Sequence, residues 1–228
     1  MNLTEGMHFV TSENLRRLIN KSEFSKALNI LQDISISQEQ QFMMSECYCQ
    51  LGIPDKALRC IEALQSIMTS SPKPSVDDVI KLVENYIADS SHIRASILLS
   101  CCAMLYKFDS NPNNSVVGIR DCSLKCRELI EKLVGKGDKM KVIARDVGLK
   151  IITDMLMELK SVSGADKNTK ANMEARCLIN VGVSYVKVGK YKEAIGFYSE
   201  GLDLMNQTFG SNAEKYRVFG VKQHWLCV

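Results

Sequence analysis

The side chains best suited to chemistry are nine cysteines and three histidines in 228 residues. His8, His92 and His224 stand far apart, and none sits in a recognisable motif. A cysteine nucleophile needs a base within reach. His92 lies nearest to Cys101-Cys102, but it reads as a histidine on a helix surface. No Cys-x-x-Cys pair occurs, and Cys122 and Cys126 form an i, i+4 pair without a histidine nearby. Two thiols on one helical face read as core residues sooner than as zinc ligands. Gly135-Lys136-Gly137-Asp138-Lys139 has the composition of a phosphate loop. It lacks the Gly-x-x-x-x-Gly-Lys-Ser/Thr spacing and a preceding strand, so it reads as a turn between helices. Asp77-Asp78 falls at a helix start, where carboxylates complement the helix dipole. The expectation is no catalytic residue, no metal ligand and no cofactor.

The elements that would position any site are helices. Four prolines and 13 glycines are too few for the turns of an all-β domain of this size. Apolar residues make up 46% of the chain and charged residues 24%, the balance of a soluble globular protein. A net charge of +3 without a Lys/Arg block argues against a dedicated nucleic-acid surface. The longest apolar run, Ile97 to Tyr106, is broken by Ser100 and is about half the ~20 residues that span a bilayer. No membrane insertion and no signal peptide are expected. An odd number of cysteines within apolar stretches fits free thiols in a reducing, cytoplasmic setting.

Periodicity supplies the organisation. Ala175, Leu178, Val181, Gly182, Tyr185 and Val186 make one helical stripe. Gly189-Lys190 breaks it, and Tyr191, Ala194, Ile195, Tyr198, Leu202 and Met205 make a second. Together they predict a helical hairpin. Near the N-terminus, stripes at Leu15, Leu18 and Ile19, at Phe24 to Ile34, at Phe42 to Tyr48 and at Ala57 to Ile67 repeat that pattern. Pro54 opens the last of these, as proline does in a first helical turn. Ser70 to Ser75 reads as a linker, followed by helices over about 76–88, 92–107, 116–134 and 138–160. Asp109 to Ser115, Gly135 to Asp138 and Ser161 to Lys170 read as loops. Residues 1–71, 72–170 and 171–228 form the expected units.

The repeated signature lies at the turns. Ser22-Glu23-Phe24-Ser25-Lys26-Ala27-Leu28, Gly52-Ile53-Pro54-Asp55-Lys56-Ala57-Leu58 and Gly189-Lys190-Tyr191-Lys192-Glu193-Ala194-Ile195 share one pattern. Each has a turn residue, a large or rigid residue two places on, two polar residues, then alanine and an aliphatic. The spacings 27 to 57 and 57 to 194 sit near one and four periods of about 34 residues, although the middle reads as four long helices instead of six.

Val181-Gly182, Tyr185, Gly189, Tyr191, Ala194, Tyr198 and Gly201-Leu202 resemble a nearly complete tetratricopeptide motif. Ala27, Tyr48, Gly52 and Ala57 are its weaker N-terminal counterparts, with Leu15 and Ser45 where Gly182 stands. The stretch Ala175 to Gly210 is similar to the longer repeats of kinesin light chains and of tetratricopeptide tails on signalling ATPases. The resemblance implies an all-α, right-handed solenoid of helical hairpins with about eleven helices. It implies a groove for a protein or peptide partner, lined in the best repeat by Arg176, Ile179, Asn180, Val183 and Lys187, and at the N-terminus by Phe42, Glu46 and Gln50. An adaptor or scaffold is the function that follows. The alternatives are a regulatory tail that controls oligomerisation of a larger ATPase and, third, a helical enzyme domain, for which no motif speaks. Tyr216 to Val228 reads as the first helix of a further repeat. The chain is then expected to be a fragment whose uncapped end is open to self-association.

Overall fold

A computed structural model describes residues 15, 17–19, 21–32, 37–70, 74–134 and 139–210. His8, His224, Cys227, the turn at 135–138 and the segment Tyr216 to Val228 lie outside the described residues. Leu15 and residues 17–19 are helical. They are followed by α1 (Phe24–Gln32), α2 (Gln38–Leu51), α3 (Pro54–Thr69), α4 (Val76–Ala88), α5 (His92–Lys107), α6 (Pro112–Val134), α7 (Lys139–Ser161), α8 (Lys167–Lys187) and α9 (Tyr191–Phe209). No strand occurs among the described residues. No helix there is long and apolar enough to cross a membrane.

Local chemistry sets the helix starts. Ser37 accepts from the Gln40 N–H while the Gln40 side chain accepts from the Ser37 N–H, a reciprocal capping box for α2. Pro54 occupies the first turn of α3, where its missing N–H has no intrahelical partner to lose. Asp166 caps α8 by accepting from the N–H groups of Asn168 and Thr169. α6 starts earlier than the apolar pattern predicts, because Asn111 accepts from the Asn113 N–H at 3.0 Å and Pro112 supplies the first turn.

The recurring turn is one backbone structure used four times. Ser22, Gly52, Ser90 and Gly189 all adopt positive φ, at 60°, 77°, 58° and 81°. The next residue donates its N–H to a carbonyl five residues back: Glu23 to Leu18, Ile53 to Tyr48 and Lys190 to Tyr185 at 2.9 Å, and Ser91 to Tyr86 at 2.8 Å. This is the bond that closes a left-handed helix C-cap. Four residues beyond each donor stand Ala27, Ala57, Ala95 and Ala194, all at most 1% exposed. The copy at Tyr86-Ser90-Ala95 joins α4 to α5, inside the region read as helical pattern alone.

Seven residues before and nine after each turn residue the chain is buried every time, at Leu15 and Leu31, Ser45 and Ile61, Val83 and Leu99, and Gly182 and Tyr198. In the last pair a Cβ on Gly182 would stand 2.8 Å from Tyr198 Cε1, so glycine is what admits the ring. Tyr106 of α5 lies over Gly118 of α6 in the same way, with its ring 2.3 Å from where a Cβ would be.

Sequential helices pack as hairpins: α1 on α2, α2 on α3, α4 on α5, α5 on α6, α6 on α7, α7 on α8 and α8 on α9. A second set of contacts skips one helix, joining α3 to α5, α5 to α7 and α6 to α8. α5 also packs on α2, and α7 reaches back to α2 and α3. A strictly nearest-neighbour stack makes no such return contacts. One buried apolar cluster therefore runs from Leu15 to Val181, and a small satellite of Val183, Ala194 and Tyr198 belongs to the last hairpin.

Candidate functional site

The α8 face expected to line a groove packs largely against its own chain. Asn180 is 5% exposed and Val183 3%. Asn180 Nδ2 donates to Ser123 Oγ at 3.2 Å, and Asn180 Oδ1 accepts from an Arg127 guanidinium N–H at 3.3 Å. Arginine can only donate, so the amide oxygen faces Arg127. Ile179 is half-buried, while Arg176 and Lys187 are exposed; Arg176 Nε donates to Asn172 Oδ1 at 3.1 Å. The structure thus splits the five residues: Asn180 and Val183 hold α8 on its neighbours, and only Arg176 and Lys187 stand in solvent.

The N-terminal counterparts behave likewise. The Phe42 ring stacks on Tyr86 with centroids 6.0 Å apart. Glu46 accepts from Arg94 Nε at 2.8 Å, and Arg94 also lies over the Tyr86 ring. Burial raises the Glu46 carboxyl above its usual range, and Arg94 pulls it part of the way back. This ion pair joins α2 to α5 beneath the surface.

The eight described cysteines are free and buried. Burial pushes the Cys47, Cys49, Cys126 and Cys177 thiols up to about 12, and it raises Cys101 as well. Cys122 is held up first by its hydrogen bond with Cys102 and then by burial. These groups are neutral, inert thiols near pH 7. Among the described residues, no three His, Cys, Asp or Glu side chains come close enough to hold a metal ion. His92 begins α5 and is part-buried.

A different surface offers a site. α3, α5 and α7 lie side by side through the contacts that skip a helix, and a groove of about 590 Å³ runs over them. Leu58, Glu62, Gln65 and Thr69 descend one wall on α3; Met104, Lys107 and Phe108 come from α5; Lys150, Asp154 and Met157 come from α7. The floor is sealed by Ile61, Ala103, Ile151 and Met155, each at most 3% exposed. Phe108 and Met157 stand 55% and 59% exposed at its edge. Lys107 pairs with Glu158 across α5 and α7, and Lys150 pairs with Asp154 within α7. Gln65 Nε2 donates to the Ser100 carbonyl at 3.3 Å and ties the α3 wall to α5.

No sequence pattern pointed to this groove. Its walls are separated by some forty residues each in the chain, and only the stacking order brings them together. The available signal was local: Met157 is a large apolar side chain on the polar side of its helix's stripe, and Phe108 is an exposed aromatic just past the end of α5.

Compared with protein-family models, curated proteins and solved structures, the chain matches none.

Proposed function

We propose that this chain is a tetratricopeptide-like adaptor or scaffold that works in the cytoplasm by holding a segment of another protein in the α3/α5/α7 groove. The observation that carries the reading is the groove itself: a concave surface with an apolar floor, a methionine edge and polar walls, formed by three adjacent helices. Methionine and aromatic side chains at a rim adapt to several partner shapes, and apolar anchors in such a surface supply most of the energy of association. The four superposable turns support a repeat origin for the hairpins. In this reading α7, reaching back onto α2 and α3, closes what began as a solenoid into a shorter, more globular stack.

A displayed library of random peptides of about 18 residues, roughly five helical turns, tests the reading. The full chain should enrich peptides with a shared apolar pattern. Met157→Glu should lose them, being a surface change that costs the fold about 0.5 kcal/mol at most; Lys187→Glu should keep them. Enrichment lost in Lys187→Glu but kept in Met157→Glu would move the site to the exposed face of α8. No enrichment by the folded chain would end the adaptor reading.

A further inference from the structure

We infer that the occupant of the α3/α5/α7 groove is an amphipathic helix of a partner protein, carrying a lysine or arginine beside its apolar stripe to meet Glu62. The inference rests on the adaptor reading and adds the conformation and charge of the ligand.

Conformation follows from hydrogen-bond accounting. The groove is walled by helices whose backbone groups are already paired. Three of its four uncharged polar side chains are committed as well: Gln65 to the Ser100 carbonyl, Thr69 Oγ1 to the Gln65 carbonyl at 2.9 Å, and Ser100 Oγ to the Ile97 carbonyl at 2.6 Å. An extended peptide pressed into this surface would lose water from its own N–H and C=O groups and find no replacement. Each such orphan costs about 1–3 kcal/mol. A helix satisfies its backbone internally and presents only side chains.

Charge follows from the ion pairs. Both lysines that line the groove already have carboxylate partners, Glu158 and Asp154. Glu62 is exposed on the α3 wall, one helical turn from Leu58, and makes no ion pair among the described residues. The unmatched charge of the groove is therefore a single carboxylate. A helix that docks its apolar stripe over Met104 and Met157 brings its flanking residues past Glu62, and a cation there gains while an anion loses.

The test uses the consensus peptide from the display selection in three synthetic forms: with lysine flanking the stripe, with glutamate there instead, and with two prolines placed mid-peptide. Binding to the full chain is read by fluorescence anisotropy. The lysine form should bind about fivefold tighter than the glutamate form, the size of one partly exposed ion pair; Glu62→Lys should reverse that order, and high salt should level it. The proline form should not bind. Equal affinity of the lysine and glutamate forms, or an unchanged order in Glu62→Lys, overturns the charge assignment. Undiminished binding of the proline form overturns the helix. In both cases Met157→Glu still abolishes binding, which leaves the groove in place; loss of that sensitivity is the separate failure of the adaptor reading.

Discussion

The α8–α9 hairpin and the α6–α7 pair are built from the same kind of residues, yet they bury them differently. In α9 the buried positions are Ala194, Tyr198, Gly201 and Met205, a single narrow stripe turned to α8. In α7, Val147, Leu149, Ile151, Ile152, Met155, Leu156 and Leu159 are all at most 3% exposed. Those positions cover most of the helix circumference, because α7 packs on α2, α3, α5, α6 and α8. At one point the two pairs close alike, since a Cβ on Gly148 of α7 would stand only 3.0 Å from Ile130 Cγ1 of α6. α9 approaches α8 through glycine, with Gly182 under Tyr198 and a Cβ on Gly201 only 3.4 Å from Leu178 Cβ. A helix that among the described residues packs chiefly on one partner, as α9 does on α8, advertises that partner in its period. A helix with five neighbours shows only that it is buried.

The largest test of this contrast is deletion of bulk. Ile152→Ala in α7 should cost about 4 kcal/mol by urea unfolding, since a cavity opens among several helices that cannot all relax. Ile195→Ala, at a 56% exposed site in α9, should stay within about 0.5 kcal/mol. Equal costs would mean that α7 is not the central element.

Next comes the ion pair that fastens the repeat-like N-terminal hairpin to α5. Arg94→Met leaves the Glu46 carboxylate buried without its cation and should cost about 3 kcal/mol at pH 7. The Glu46 carboxyl is raised by burial from its ordinary 4.5. A raised carboxyl contributes stability that is fully present below 4.5 and is lost as pH rises through the folded value. Losing Arg94 raises it further, so the deficit of Arg94→Met should shrink as pH falls towards 4.5. A deficit independent of pH would assign the loss to packing over Tyr86 instead.

Smaller effects separate the glycines by surroundings. Gly118→Ala should destabilise by about 2 kcal/mol because the Tyr106 ring must be displaced. Gly182→Ala should cost less, about 1 kcal/mol, since its contact with Tyr198 is looser. Gly196, mid-helix in α9 with nothing within 4 Å, should reverse the sign: Gly196→Ala gains about 0.5–1 kcal/mol of helix propensity. A thermal series that fails to rank the three in this order would remove close approach as their explanation.

The smallest expected effect is Tyr198→Phe. The Tyr198 hydroxyl is buried without a hydrogen-bond partner among the described residues, and removing an unsatisfied group of this kind should leave stability unchanged or raise it by about 0.5 kcal/mol. A marked loss of stability would reveal an ordered water at that hydroxyl.

Much of the helix pattern was legible in the residues. The expected helices at 76–88 and 92–107 coincide with α4 and α5, and those at 116–134 and 138–160 fall within a few residues of α6 and α7. The start of α6 at Pro112 was also readable, since asparagine before proline is a helix-start signal in its own right. The fourth turn was missed because Ile93 stands where the other copies carry a polar residue and Ser96 stands where they carry Leu28, Leu58 and Ile195, even though Tyr86 and Ala95 keep the spacing. The candidate site was less legible. Asn180 and Glu46 have the polarity of ligand-facing residues, and the choice between a partner and a neighbouring helix rests on what lies opposite them.

By itself the sequence determined the all-helical class and three of the four positive-φ hairpin turns, because these depend on residues within one or two helical turns of each other. Tertiary structure decided that α5 and α7 return to α2 and α3, that Ser123, Arg127 and Arg94 take up the polar side chains of α8 and α2, and that a groove opens over α3, α5 and α7. The physical reason is that periodicity records whether a face is buried. Which surface buries it is settled by the combined packing of helices far apart in the chain.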